Sequence, residues 1–286
     1  MNTLGRRHLV NLLLLAVVLG LVGLVLWEQR AQQAPSVPQL LQIEPAAIQQ
    51  LRIERTGQAA LVLQRLDAER WQLQSPLAID ANGFRIQALL RVSELRSLGS
   101  FPVSGAELAV YGLDQPSLRL IINGQLELVF GGQTTLDYRR YVRLGEQIHI
   151  VPDTLYYHLI GDWHGFVSQR LLPEQARIEA LQLPGLSLQR SAEGWQLEPA
   201  GALRSADQIQ TLLDAWQHPG VVQVRAYAGG AGETIRIALA GMPTLEFLLL
   251  EDQGEYALAR PELGIQYQLS EASAAQLLGL GELVPR

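Results

Sequence analysis

The chain has 286 residues, with 22 basic and 28 acidic side chains and a formal net charge of −6; it contains no cysteine, and every basic side chain is arginine because lysine is absent. Disulfides, thiolate nucleophiles, cysteine-ligated zinc, lysine Schiff bases and a Walker A phosphate loop are thereby excluded. The acidic balance argues against nucleic acid as a partner, since a phosphate-backbone binder needs a concentrated basic surface.

Leu9 to Trp27 is a run of nineteen uncharged residues. As a helix it would rise about 28 Å, close to the roughly 30 Å of bilayer hydrocarbon, so a transmembrane helix in contact with the lipid bilayer is expected over Leu9–Trp27. Arg6 and Arg7 precede the run, whereas Arg30 is the only basic residue between it and Arg52. The positive-inside rule then leaves residues 1–8 as a cytoplasmic stub and exports the rest, as a single-pass protein of the bacterial inner membrane. A cleaved signal peptide is the rival reading. Its apolar core is shorter, about 7–15 residues, and ends at a small-x-small site, which Trp27-Glu28-Gln29-Arg30 does not supply. Residues 28–40, with Pro35 and Pro38, read as a tether.

Beyond it the chain repeats itself. Gln64-Arg65 followed by Trp71-Gln72-Leu73 recurs as Gln189-Arg190 followed by Trp195-Gln196-Leu197. Asn82, Ile86, Leu89 and Leu90 return in the same spacing as Ser205, Ile209, Leu212 and Leu213; Asn and Ser are both good N-caps, and the spacing lays an apolar stripe on a helix. Ile148–Gly161 also matches Ile265–Gly279. Three matches in one order point to a duplication, with a first repeat over 41–170 and a second over 171–286.

Alternating apolar and polar residues predict strands around Ile53, Val62 and Trp71, and a helix from Phe84 to Leu98 stopped by Gly99. Strands over 118–122, 126–130, 140–144 and 147–151 follow. The second repeat predicts strands near Ile178, Leu186 and Trp195, a helix from Ala206 to Trp216, and strands over 222–226, 234–239, 244–250, 255–260 and 265–269. The expected class is α+β: an N-terminal transmembrane helix followed by two tandem, related modules of antiparallel sheet, each with a packed helix.

An N-terminal anchor, a strand triplet with a tryptophan, a polar-capped helix, Tyr111-Gly112-Leu113-Asp114-Gln115-Pro116, and then Phe130-Gly131 and Tyr141-Val142 occur in that order. In this the chain resembles a bacterial family catalogued as domain of unknown function 4340. The resemblance covers roughly residues 1 to 175; Tyr227 to Gly232 holds no Tyr-Gly-Leu-Asp-x-Pro. It implies a single-pass envelope protein, of a kind often encoded beside transporters of the gliding-motility ABC type, and it carries over no catalytic residue.

Tyr111, Gly112 and Leu113 read first as a turn with core plugs and second as a binding loop. Arg139, Tyr141 and Arg143 share one strand face, where they could grip a carboxylate, a phosphate or an acidic partner, or simply face solvent. Trp71 and Trp195 read as core anchors. His158, Asp162 and His164 have a loose metal-ligand spacing, but too few ligands to assign a metal. Ser168 lies near them without a G-x-S-x-G elbow. No catalytic, cofactor or metal residue is therefore assigned. The expectation is a non-catalytic, membrane-anchored envelope protein whose exported part binds a protein partner, as an accessory of an ABC-type transporter or envelope assembly complex. A small-ligand-binding or hydrolytic periplasmic module is the alternative.

Overall fold

Short runs of alternating apolar and polar side chains become strands, because the two-residue period puts every second side chain on the buried face. The structure is a computed structural model and describes residues 15–24, 38–104, 106–135, 138–200 and 205–279. The first repeat supplies β1 (Gln50–Arg55), β2 (Leu61–Arg65), β3 (Trp71–Ser75), β4 (Ile79–Asp80), β5 (Gly99–Pro102), β6 (Leu118–Ile122), β7 (Leu126–Gln133), β8 (Arg139–Leu144) and β9 (Gln147–Pro152). The second supplies β10 (Ile178–Leu183), β11 (Leu186–Ser191), β12 (Gly194–Glu198), β13 (Val221–Ala226), β14 (Glu233–Leu239), β15 (Leu245–Asp252), β16 (Glu255–Arg260) and β17 (Ile265–Leu269). Besides the helical residues 15–24, four α-helices accompany them among the described residues: α1 (Gly83–Leu90), α2 (Tyr156–Leu159), α3 (Ala206–Gln217) and α4 (Glu271–Leu277).

The nine-stranded sheet runs β4-β3-β2-β1-β6-β7-β8-β9-β5, and the eight-stranded sheet β12-β11-β10-β14-β15-β16-β17-β13. Apart from β4 the two orders are the same. In each, three strands form a meander, a helix follows, and the next strand docks on the far edge against the last strand of the sheet. The chain then returns to the middle, pairing β6 with β1 and β14 with β10. Asn82 caps α1 by accepting from the N–H groups of Phe84 and Arg85, and Ser205 caps α3 by accepting from Gln208.

The expected α+β class is corrected: two antiparallel sheets dominate, and the helices are few and short, with α1 only 8 residues long. The helix expected to reach Leu98 ends at Leu90, passes into a 3-10 turn over Arg91–Glu94, and gives way to β5 at Gly99. Leu89, Val92 and Leu95 explain this. All three are buried, and the short 3-10 turn that carries Val92 takes the chain out of the helix at Leu89 and into extended backbone at Leu95 with each of them kept in the core. The transmembrane part of the expectation is corrected with it: among the described residues no helix is long and apolar enough to cross a membrane. Residues 15–24 are helical and exposed, a length that rises only about 15 Å. The rest of the expected span Leu9–Trp27 lies outside the described residues, as do the stub and most of the 28–40 tether.

One core runs through both repeats. Leu51, Ile53, Leu63 and Leu73 meet Ile86 and Leu89 of α1, and the same cluster includes Leu181, Leu188, Leu212, Trp216 and Phe247. Each wholly buried Leu or Ile side chain contributes about 1.5–3 kcal/mol. Trp71 is buried and Trp195 half-buried, both packed against this core. The Trp216 indole N–H donates to the Leu277 carbonyl at 2.9 Å, tying α3 to α4. A smaller cluster of Leu113, Val129 and Ile148, with Phe101, Tyr111 and Tyr141 packed on it, covers the opposite face of the first sheet.

Tyr267 of β17 lies in the shared core, and burial pushes its hydroxyl up to about 12 while the Arg260 charge pulls it down. The folded value lies above the usual tyrosine value near 10. The stability so gained is complete below about pH 10 and is lost as pH climbs towards 12. Tyr267→Phe is expected to flatten the fall in urea midpoint between about pH 10 and 12; an unchanged slope would show that another group governs it.

Candidate functional site

The junction between the repeats forms the site. After α2 the chain turns at Gly161, and Asp162 caps the short 3-10 helix Trp163–Phe166 by accepting from the His164 N–H at 2.9 Å. The His164 ring stacks on Trp163 with centroids 3.9 Å apart, and its Nδ1 meets the Asp162 carboxylate. Burial pulls the Asp162 pKa upward. The hydrogen bonds from His164, with the charges of His164 and Arg55, outweigh that and hold it below the usual carboxylate range. Arg55, at the end of β1, is buried beneath this turn and donates from Nη1 to the Gly161 carbonyl, while its Nε has no partner. Burial lowers the Arg55 pKa, partly offset by Asp162.

The same stretch is strapped to α1. The Asn82 N–H donates to the Phe166 carbonyl at 2.7 Å, Ala81 bridges to Val167, and the Ser168 N–H donates to the Asp80 carbonyl at 2.8 Å. The first turn of α1 is thereby held over the junction, with the Arg85 guanidinium above the Phe166 ring, 5.8 Å from its centroid. β13, the last strand of its sheet, forms the opposite wall, and Gln169 Nε2 donates to the Val222 carbonyl at 3.1 Å. Between them lies a cavity of about 480 Å³, lined by Arg85, Asp162, His164, Gln169 and residues 222–226. A second cavity of about 520 Å³, between the start of α1 and the end of α3, shares Asn82 and Gln169 with the first, so the two make one groove. Phe84 at 88% and Val222 at 59% exposure mark its rims.

Of the residues singled out in the sequence, Asp162 and His164 come together here, but His158 makes no side-chain bond to either. Among the described residues no group of three His, Cys, Asp or Glu could hold a metal ion. Ser168 Oγ accepts from the Arg170 N–H and is not bonded to His164. Arg85, Gln169, Val222 and Arg225 carried no sequence signal: they come from separate segments, and no motif joins them.

The other singled-out residues lie on the first sheet. Gly112 ends the 3-10 helix Leu108–Tyr111 with φ of +65°, and a Cβ there would stand 2.9 Å from the Gly132 nitrogen. A Cβ on Gly131 would collide with the Tyr111 carbonyl oxygen. Tyr111 is thereby set between Phe101 and Tyr141, with ring centroids 5.1 and 4.8 Å away, and Leu113 is buried below. Arg139, Tyr141 and Arg143 are half-buried on that face. Arg140 points the other way, into a buried pair with Asp153 at 2.5 Å, donates to the Gly131 carbonyl, and stacks on Tyr156.

A family model described as a domain of unknown function (DUF4340) matches residues 71–261, or 191 of the 286 residues. The chain belongs to that family. The match takes in both repeats, not the first alone, and it contains every residue that lines the groove. No curated protein and no solved structure matches the chain.

Gly131→Ala is expected to cost about 1–3 kcal/mol by urea denaturation, since the Tyr111 carbonyl must move. Gly83→Ala, whose Cβ would meet nothing within 4 Å, should stay within about 1 kcal/mol of the parent. Equal effects would mean that the interlock contributes nothing.

Proposed function

We propose that the chain is a non-catalytic envelope protein whose two-repeat body binds an extended segment of a protein partner in the groove between the repeats. The observation that carries this is the placement of β13. It is an edge strand: among the described residues no further strand pairs with its outer side, and residues 222–226 line the cavity. A strand edge offers backbone donors and acceptors to any extended chain laid beside it, and partners are commonly recognised this way. Exposed apolar side chains at both rims, Phe84 and Val222, add the burial such binding needs.

Location is proposed from sequence alone. The uncharged run Leu9–Trp27, with its basic N-terminal flank, supports attachment to the bacterial inner membrane with the body in the periplasm. That setting, with the family resemblance, favours an accessory role beside an ABC-type transporter or envelope assembly complex.

A photo-crosslinking residue in place of Gln87 on one wall and Val222 on the other is expected, in intact cells, to join one and the same peptide of one partner. The same probe at Tyr138, on the turn into β8, should not. No adduct from either wall, or the same adduct from Tyr138, would refute the groove. Carbonate extraction at alkaline pH should leave the full-length protein with the membrane pellet, and release into the supernatant would refute the attachment.

A further inference from the structure

The groove carries charge of the opposite sign to the chain around it. The protein is acidic, at −6, yet Arg85 and Arg225 both line the cavity beside β13 and neither has a carboxylate partner among the described residues. Arg85 rests on the Phe166 ring. Arg225 is held only by Gln223, whose side-chain oxygen, in the amide orientation that satisfies both groups, accepts from Nε and Nη2 at 3.1 and 2.6 Å. A third guanidinium, Arg55, lies beneath the same turn with Nε unpartnered. Among the described residues that line the cavity Asp162 is the single carboxylate, and His164 already occupies it. Two guanidinium groups line the cavity against one engaged carboxylate, with Arg55 beneath the turn, which leaves net positive charge at the recess.

We propose that this recess binds a carboxylate, carried as an acidic side chain on the extended partner segment, with Arg85 and Arg225 as the grip. The inference rests on the groove being the partner site. The planar fork of a guanidinium matches the two oxygens of a carboxylate, so the strand edge holds the segment's backbone while the arginines select for acid. Phosphate offers the same charge with another geometry and is set against carboxylate in the test.

The full chain, labelled with ¹⁵N-arginine, is titrated with N-acetyl-tetraglutamate amide, its tetraglutamine counterpart and inorganic phosphate, and the arginine Nε–H signals are followed. The glutamate peptide is expected to shift the Arg85 and Arg225 signals saturably, and the glutamine peptide to leave them in place. Arg85→Gln should weaken glutamate binding about tenfold, with an unmoved Arg140 signal reporting an intact fold. No saturable shift up to roughly 10 mM peptide, equal shifts from the glutamine peptide, or undiminished binding in an Arg85→Gln, Arg225→Gln double variant would overturn the proposal. Phosphate binding tighter than glutamate would replace it with a phosphate site. Glutamate binding without any partner crosslink at Gln87 or Val222 would sink the groove as partner site and leave only an acid-binding recess. Crosslinking that persists in the double variant would sink recognition of the partner by acid and leave the groove standing.

Discussion

A few backbone contacts, from Asn82 to Phe166, from Ser168 to Asp80 and across the Ala81–Val167 bridge, hold the passage between the two sheets against the edge of the first. Phe166 and Val167 are buried, and their paired backbone groups would lose their partners if the passage left this position. Everything at the junction follows from that strap. It sets Asn82 where its side chain caps α1, lays Phe166 under Arg85, and brings Gln169 within reach of the Val222 carbonyl on the second sheet. The groove is therefore a product of how the repeats are joined, since neither repeat alone holds both walls.

The two repeats share a strand order but treat their outer faces differently. In the first sheet Tyr141 pairs with Ile150 and Arg143 with Ile148, and the segment ending in Tyr111 and Leu113 closes over them. The corresponding pairs in the second sheet are Ala257 with Gln268 and Ala259 with Gln266. Small and polar residues stand where the first repeat has aromatic and aliphatic ones, and the link from β13 to β14 is the glycine-rich 227–232. Ala257 and Ala259 are buried all the same, and the glycine-rich link lies against Leu250, so bare backbone packs there in place of an aromatic segment. The Tyr-Gly-Leu-Asp-x-Pro segment thus serves the packing of one face of one repeat.

Much of the strand plan was readable because alternation is a local property: the strands expected over 118–122, 255–260 and 265–269 match the structure residue for residue. The caps at Asn82 and Ser205 were readable for the same reason, since a cap depends on its own next three residues. The helix after Asn82 stops at Leu90, short of the expected Leu98. A stripe of Ile86, Leu89, Val92 and Leu95 is compatible with α and 3-10 winding alike, and only packing against the sheet separates them. β5 has no such signature, because Gly-Ser-Phe-Pro shows no alternation. Arg140 could be assigned to the face opposite Arg139, but its pairing with Asp153 depends on β8 and β9 being neighbours. The groove lay beyond reach for a stronger reason: Arg85 and His164 meet through the strap within the first repeat, and Arg225 joins them only where the second repeat docks on it.

The contact between Gly131 and the Tyr111 carbonyl has a counterpart in the second sheet. By register, the residue facing Ala257 there is Leu250, and Tyr141 of the first sheet faces the bulge that holds Gly131 and Gly132. Beside Leu250, a Cβ on Gly232 would collide with the Leu249 carbonyl oxygen. Each repeat thus contains a glycine at which any side chain would force a neighbouring carbonyl to move, so the link lying there is fixed in place by the absence of an atom.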